Sequence, residues 1–300
     1  MSLWSDIEKG YGITILKKKK VRDVYQLSTR NHGVLCLKSY PIPEAETRFI
    51  AHVFTHISEN NFNYGPKTLL TINQAPGITR NEVHYMITNW VIGTRPHFHK
   101  KNIFKKAIRT LAKFHSAAQG IPSDLIPEAR IRYNGLRERI TSYRKILSDN
   151  PKMQHLLYAC DEALDRLDSP TVIKAIAQEQ TVSAFVHGDF NYPNLVLDTS
   201  GSIHMIDFDN TSLNVRMQDL AHILHRNFPW QGKETLSWIN YYERKRSLSV
   251  EDRHLLYTLL LLPYPVIRAL QQQKRNQHLN ILLPTTKQVK NYKEQLKKLL

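Results

Sequence analysis

The first part of the chain alternates short apolar or β-branched runs with polar turns, a pattern that predicts β-strands. These runs lie at residues 13–16, 21–27, 34–37, 69–72 and 83–88. One helical stretch interrupts them. It begins at Pro43, and its buried stripe of Phe49, Ile50, Val53, Phe54 and Ile57 has the spacing of one helix face.

The pattern becomes helical from residue 100 onward. Apolar residues at helical spacing predict helices at 103–119, 128–148, 153–167 and 170–180, and again from 217 to the end. A short β region at 183–206 is the exception. We therefore predict an α+β fold with a small β-rich lobe, residues 1–92, and a larger, mainly helical lobe, residues 93–300. Residues 89–93 are the candidate hinge.

The most specific chemistry lies in the short β region. The sequence His-Gly-Asp-Phe-Asn-Tyr-Pro-Asn runs from His187 to Asn194, and Ile-Asp-Phe-Asp occupies 206–209. Phosphoryl transfer needs a carboxylate that orients a hydroxyl, here Asp189, and oxygen ligands for Mg²⁺, here Asn194 and Asp207. A predicted hairpin, 194–197 with 202–206, brings the two ligands to the same end. Either half alone is better explained as an ordinary turn or strand end.

Neighbouring polar residues have supporting interpretations. His187 is predicted to support the loop rather than act as a base, and Asp209 to help a second metal ion. Asp219 opens a helix, where it either caps that helix or anchors the catalytic loop from behind.

Two charged residues of the first lobe form a candidate phosphate site. Lys38 follows the apolar run 34–37, as a lysine that reaches nucleotide phosphates would. Glu46 lies on the inward face of the Pro43 helix, so it needs a cation, and we predict that Lys38 supplies it. A solvated surface glutamate is the alternative.

The turn between the first two strands departs from the kinase pattern. Residues 17–23 read Lys-Lys-Lys-Lys-Val-Arg-Asp and contain no glycine, whereas a backbone that cradles phosphates normally needs glycine. Either basic side chains contact the phosphates there or the segment is a solvated turn with weak nucleotide affinity.

Composition limits the partners. A net charge of +16 favours anionic partners, but there is no zinc-finger spacing or RNA-recognition signature, so a solvated basic surface is favoured over nucleic-acid binding. The two cysteines, Cys36 and Cys160, have neither disulfide-framework nor metal spacing. Residues 1–20 lack an apolar signal core, and the apolar stretch 255–267 is short and interrupted by prolines. We expect a cytoplasmic protein without a membrane partner.

These motifs resemble those of the aminoglycoside phosphotransferase and choline kinase superfamily. The resemblance rests on 187–194, 206–209, the Asp-Leu-Ala at 219–221, the Leu-Ala-Lys-Phe-His at 111–115 and residues 89–93. Within that superfamily, residues 19–25, 35–38 and 207–209 are similar to the CotS-type spore coat proteins of endospore-forming bacteria.

The resemblance implies a bilobal protein-kinase-like fold that uses ATP and Mg²⁺ to phosphorylate a small-molecule hydroxyl. It implies Asp189 as the catalytic residue, Asn194 and Asp207 as metal ligands, and Lys38, Glu46, Asn89 and Val91 as nucleotide-binding residues. The spore coat branch implies deposition from the mother-cell cytoplasm into the coat, with other coat proteins as partners. There the protein either keeps its catalysis or serves as a pseudokinase scaffold.

The acceptor is not evident from the sequence. Acidic residues of the helical lobe, Glu128, Glu138, Asp161 and Glu162, either bind a cationic acceptor or are ordinary surface charges, and the second interpretation is favoured.

Overall fold

The computed structural model describes residues 2–272 and 282–300. They form two compact units that interleave along the chain. The sheet unit comprises Met1–Pro96, Ile121–Arg130 and Tyr192–Asp209, and the helical unit comprises His97–Gly120, Ile131–Asn191 and Asn210–Leu300. The α+β class predicted from the sequence is confirmed. The domain boundary between residues 92 and 93 stays a prediction.

The sheet unit is built on antiparallel strands in the order β1-β2-β3-β6-β4, with β5 also paired to β6. Its elements are α1 (Leu3–Tyr11), β1 (Ile15–Val21), β2 (Val24–Thr29), β3 (Val34–Tyr40), α2 (Glu44–Glu59), β4 (Thr68–Leu69), β5 (Gly77–Arg80) and β6 (Val83–Asn89). Ile7, Leu27, Leu37 and Ile87 are almost fully buried in one apolar cluster that joins α1 to the sheet.

Two elements of this unit differ from the sequence-based expectation. The lysine run belongs to β1 and pairs with β2, so residues 17–21 form a strand rather than a loop. Strand β1 lies at the edge of the sheet and its central residues are all exposed, so it needs no apolar residues. Its four consecutive lysines therefore give no strand pattern in the sequence. Helix α1 was not predicted, although Ser2 caps its start and Gly12 ends it in a left-handed conformation.

A smaller sheet in the same unit carries the predicted metal ligands. Strand β9 (Leu195–Asp198) pairs with β10 (Ile203–Met205) and with the short strand β7 (Gly93–Thr94). The predicted hairpin is therefore confirmed, and Leu195 faces Met205 across it. Residues that flank the open end of this hairpin, Asn194 and Ile206, are joined by a backbone hydrogen bond of 2.9 Å.

The part of the helical unit that the structure describes contains further helices and a two-stranded ladder. The helices are α3 (Lys101–Ala117), α4 (Leu136–Ser148), α5 (Leu157–Leu167), α6 (Pro170–Thr181), α7 (Met217–Asn227), α8 (Gly232–Glu243), α9 (Val250–Leu261), α10 (Tyr264–Gln271) and α11 (Thr286–Leu296). Strand β8 (Phe185–Val186) pairs with β11 (Ser212–Leu213). No helix in the described ranges is both long and apolar enough to cross a bilayer.

Serine caps and a proline set the helix limits in this unit. Ser169 caps α6 ahead of Pro170, and Ser249 caps α9 by accepting a hydrogen bond from Asp252 N. The predicted helix at 128–148 begins only at Leu136, because residues 128–135 are largely in short 3-10 turns. The apolar stretch 255–267 is two helices that break at Pro263.

Candidate active site

The sheet unit encloses a cavity of about 240 Å³. Its walls are mainly apolar: Val21, Val24, Met86 and Leu195 come from strands, and Phe208 comes from the segment that follows β10. Polar groups converge on it, among them Lys38, Asn194 and Asp207. An apolar slot with a few convergent polar groups is the usual form of a small-molecule site.

Lys38 forms ion pairs with both carboxylates of the Asp-Phe-Asp segment at 207–209. Its Nζ lies 2.5 Å from Asp207 Oδ1 and 2.6 Å from Asp209 Oδ1. The lysine side chain is only 12% exposed, whereas those of Asp207 and Asp209 are 39% and 44% exposed. Burial alone would lower the pKa of Lys38, but Asp209 and Asp207 outweigh it and raise that pKa. The lysine is therefore held as a cation beside two carboxylates.

At Asp209, burial causes the shift in pKa instead of opposing it. Burial raises the pKa of its carboxyl group, and the nearby charge of Asp207 adds to that rise against the lowering effect of Lys38. Two carboxylates this close need positive charge between them. Lys38 supplies it here, at a point on which two carboxylate oxygens converge.

The predicted ion pair between Lys38 and Glu46 is wrong. Glu46 Oε2 instead accepts from Arg130 Nε at 2.6 Å, and Arg130 Nη1 donates to the backbone oxygen of Asp209 at 2.6 Å. The inward position of Glu46 was correct, since its side chain is 17% exposed. The prediction failed because Arg130 comes from a segment distant in sequence, while Asp207 and Asp209 satisfy Lys38.

The turn between β1 and β2 consists of Arg22 and Asp23, and both residues line the cavity. Asp23 Oδ2 lies 3.9 Å from Lys38 Nζ. Arg22 has a φ of 57°, a left-handed conformation that favours glycine and costs other residues about 1 kcal/mol. An arginine kept in a glycine-type conformation at a cavity wall is a candidate functional residue.

Asn89 and Val91 also line the cavity, next to the end of β6. Asn89 is tied to the chain at Lys67, whose backbone nitrogen donates to Asn89 Oδ1 at 2.7 Å. The following amide, Trp90 N, donates to Val34 O on β3. The segment predicted as a hinge is thus fixed to the sheet on both sides, with Val91 at the cavity.

The hairpin places the predicted metal ligands together in this unit. Asn194 precedes β9 and Asp207 follows β10, and both line the same cavity as Lys38. Asp207 has a φ of 65°, which aspartate tolerates better than most residues. Carboxylate and amide oxygens are suitable ligands for Mg²⁺. Because the carboxylates of Asp207 and Asp209 already converge on the Lys38 cation, the residues present fit a divalent metal ion.

The loop that carries Asp189 belongs to the helical unit and is held from behind by a buried carboxylate. Asp219 Oδ2 accepts from His187 N at 2.8 Å, and Asp219 Oδ1 accepts from Gly188 N at 3.0 Å. Burial alone would raise the pKa of Asp219, but hydrogen bonding and charge from His115 and His187 lower it overall. The interpretation of Asp219 as an anchor is consistent with this geometry.

Gly188 is required by the shape of the loop. Its φ is 82°, and a Cβ at this position would lie 2.3 Å from the backbone oxygen of Asn210. His187 is fully buried and its Nδ1 lies 3.3 Å from Asp189 N. Both residues thus support the shape of the loop, as predicted for His187.

Asp189 itself is partly exposed and faces an arginine. Its Oδ1 lies 2.7 Å from Arg226 Nη1, and Arg226 Nη2 donates to the Tyr264 hydroxyl at 3.2 Å. Arg226 comes from the last turn of α7. This arrangement holds the carboxylate of Asp189 in one orientation within the helical unit.

The sequence does not single out the three arginines of these clusters, and Arg22 was considered only as part of the basic segment 17–23. Arg22, Arg130 and Arg226 occur in stretches where a basic residue is ordinary, in a protein with 42 lysines and arginines. Only Arg22 carried a local signal, because it stands where a two-residue hairpin turn normally has glycine.

The fold and the motifs are those of a kinase-like phosphotransferase. The chain belongs to the APH family, described as the phosphotransferase enzyme family, whose model matches residues 13–257. The predicted superfamily is therefore confirmed, whereas the CotS-type branch stays a prediction.

Solved structures of similar fold come from several kinases. An aminoglycoside phosphotransferase from Alicyclobacillus acidocaldarius subsp. acidocaldarius DSM 446 matches with a TM-score of 0.80 at 17% identity, over 99% of this chain and 96% of that one. A choline kinase from Cryptosporidium parvum Iowa II matches with a TM-score of 0.52 at 13% identity, over 100% and 93%. An amicoumacin kinase, hAmiN, bound to AMP-PNP, Ca²⁺ and Ami, matches with 0.56 at 11%, over 99% and 92%. At these identities the likeness concerns the fold, a kinase-like one.

Proposed function

We propose that this protein transfers the γ-phosphoryl group of ATP to a hydroxyl group of a small molecule, with Mg²⁺. The observation that carries the proposal is the cluster of Lys38, Asp207 and Asp209 in the wall of an apolar cavity. Phosphoryl transfer requires positive charge at the phosphates and oxygen ligands for a metal ion, and this cluster contains both.

The nucleotide occupies the cavity of the sheet unit. Asn89 and Val91 contact the base, and the apolar walls cover its faces. A metal ion held by Asp207 and Asp209 would neutralise their charge, and Lys38 would then be available to bind the phosphates. Arg22 contributes a side-chain phosphate contact in place of the backbone contacts that a glycine-rich turn would offer.

Asn194 and Asp207 hold the metal ion, and Asp209 adds a further carboxylate. The bound ion supplies charge neutralisation at the phosphates during transfer. Glu46 acts through Arg130, which it orients and which in turn holds the backbone of Asp209. It is therefore a positioning residue in this proposal.

Asp189 orients the acceptor hydroxyl and accepts its proton as the oxygen bonds to the γ-phosphorus and the bond to the ADP oxygen breaks. The role rests on its place in the His-x-Asp-x-x-x-x-Asn motif. Arg226 and the Asp219-anchored backbone fix the carboxylate and the loop.

A thermal-shift titration combined with one variant tests the proposal. ATP with Mg²⁺ should raise the unfolding temperature of the wild-type protein according to occupancy. Asp189→Asn should keep that shift but lose phosphoryl transfer by a factor on the order of 10³. Asp168→Asn, which changes an exposed carboxylate paired with Arg137, is the matched control and should behave like the wild type. No shift at millimolar ATP rules the proposal out.

As a second candidate, we propose that the protein is a CotS-type component of the spore coat. It is made in the mother-cell cytoplasm and deposited in the coat together with other coat proteins. The similarity of residues 19–25, 35–38 and 207–209 to those proteins supports this role. The glycine-free turn at Arg22 favours a protein in which catalysis is secondary or lost. Spores from a strain that lacks the protein should have an altered coat composition, and an unchanged coat contradicts this candidate.

A further inference from the structure

Three basic side chains gather around one aromatic ring of the helical unit. Tyr241 lies in the last turn of α8, and its side chain is partly buried. The side-chain cations of Lys105 and Arg109, on α3, lie 5.8 and 5.9 Å from the ring centre, and that of Arg244 lies 5.3 Å from it. Arg109 Nη2 also donates to the Tyr241 hydroxyl at 2.8 Å. Three positive charges are therefore held close together at this ring.

The basic residues of α3 extend this cluster along one side of the helix. Lys101, Lys105 and Arg109 are exposed and follow one another at intervals of four residues, so their side chains project from the same face about 6 Å apart. Lys101 Nζ lies 6.0 Å from the centre of the Trp238 ring, which precedes Tyr241 by about one turn of α8. We refer to these four basic residues as the α3–α8 basic face: Lys101, Lys105, Arg109 and Arg244.

Within the described ranges, no carboxylate pairs with the α3–α8 basic face. Helix α3 contains no acidic residue. Helix α8 has two, Glu234 in its first turn and Glu243, which pairs with Arg253 at 2.5 Å. Cation–π contacts hold the basic side chains in place but leave their charge, and like charges this close repel each other. An anionic partner would relieve that repulsion.

We propose that the α3–α8 basic face is a docking surface for an acidic segment of another protein. Carboxylates at every second residue of an extended segment lie about 7 Å apart, close to the repeat of the cations along α3. Single-stranded nucleic acid, another polyanion, gains affinity when its bases stack on open aromatic faces. Here cations lie over the ring of Tyr241, and Trp238 is buried, so an acidic protein segment is the better match.

A second copy of this chain matches the face less well. Its acidic residues are grouped most closely at 161–168, and three of them already pair with basic residues of their own chain: Asp161 with Arg144, Glu162 with Arg166 and Lys293, and Asp168 with Arg137. With a net charge of +16, two copies also repel each other overall. None of the four basic residues lines the cavity of the sheet unit, so this inference does not depend on the proposed function.

Fluorescence anisotropy with labelled probes tests the kind of partner. The probes are a short peptide of alternating Glu and Ser, the same peptide with Gln in place of Glu, and a single-stranded RNA of equal length, each titrated with the full-length protein at physiological salt. The acidic peptide should bind about tenfold more tightly than the neutral one, and added salt should weaken it. Equal affinity for the two peptides, no binding at millimolar concentration, or tighter binding of the RNA overturns the inference.

Two double variants with the same loss of charge locate the binding surface. Lys105→Gln with Arg109→Gln should weaken the acidic peptide about tenfold. Lys17→Gln with Lys19→Gln, which changes exposed lysines of β1, is the matched control and should leave the affinity within about twofold of the wild type. Equal losses in the two variants would mean that net charge alone binds the peptide, and would contradict the assignment.

Tyr241→Phe separates the arrangement of the cations from their number. The variant keeps the ring and all four charges but lacks the hydroxyl that accepts from Arg109. Its affinity for the acidic peptide should fall about threefold, with an unchanged unfolding temperature. Sedimentation of the wild type and of the Lys105, Arg109 double variant covers the remaining occupant. Self-association of the wild type that this double variant abolishes would assign the face to a second copy and overturn the inference.

Discussion

The two parts of the proposed active site are held in different ways. In the helical unit, the loop of Asp189 is fixed by a fully buried carboxylate that accepts hydrogen bonds from the backbone of His187 and Gly188. In the sheet unit, Asp207 and Asp209 are fixed by one lysine through partly exposed ion pairs. The first arrangement depends on buried hydrogen bonds within the fold. The second depends on ion pairs whose partners a bound ligand could replace.

This difference separates stability from ligand binding. Buried hydrogen bonds to backbone amides leave unsatisfied donors when they are removed, so they affect folding. Partly exposed ion pairs contribute little to folding, and in the proposed function these charges bind the nucleotide phosphates and the metal ion. Substitutions in the two regions should therefore have opposite profiles.

Among single substitutions, the largest effect on stability is expected for Asp219→Asn. The amide group replaces one acceptor oxygen with a donor, so a backbone N–H at residue 187 or 188 loses its partner inside the protein. We expect a loss of about 3 kcal/mol in the free energy of unfolding, measured by urea denaturation. Asp161→Asn, an exposed carboxylate paired with Arg144, should change it by less than about 0.5 kcal/mol. Equal effects of the two substitutions would contradict the proposed difference between the two regions.

Acid should weaken the same region. Burial lowers the pKa of His115 and of His225 to about 4, and burial with the charge of Arg139 lowers that of His222 to about 3. Between pH 6.5 and these values, the unfolded chain binds protons that the folded protein excludes, so stability falls as the pH falls. A drop of about 2 kcal/mol per histidine is expected from pH 7 to pH 5 in urea denaturation.

His225→Gln provides the comparison for the pH experiment. Its ring nitrogen lies 3.1 Å from the backbone oxygen of Leu259, and glutamine does not titrate in this range. The variant should lose less stability than the wild type over the same change in pH. Identical stability of the wild type at pH 7 and pH 5 would contradict the assignment of these histidines as neutral buried groups.

The smallest effect on stability, with the opposite sign, is expected for Arg22→Gly. Glycine relieves the left-handed conformation and should stabilise the fold by about 0.5 kcal/mol. The loss of a charge-assisted phosphate contact should weaken ATP about tenfold while adenosine binds as before, both measured by calorimetry. Glu82→Gly is the control, because Glu82 has a similar φ of 61° but does not line the cavity. Weaker ATP binding in both variants would assign the effect to the backbone rather than to Arg22.

The sequence predicted those parts of the site that lie close together in the chain. The hairpin that joins Asn194 to Asp207 follows from local alternation and a turn, and the helix of Glu46 from a regular apolar stripe. The partner of Glu46 could not be predicted, because Arg130 reaches it from a segment 84 positions away. For the same reason the contact of Arg226 with Asp189 has no local signature. The extent of strand β1 was not predicted because an exposed edge strand does not need apolar residues.

Calorimetric titration of ATP at increasing Mg²⁺, with the wild type and Asp207→Asn, tests the central claim most directly. If Lys38, Asp207 and Asp209 form a metal-nucleotide site, the wild type should bind ATP more tightly as Mg²⁺ increases, and the variant should lose that dependence while it stays folded. ATP binding that does not depend on Mg²⁺ in the wild type, or no binding at millimolar ATP, would contradict the account.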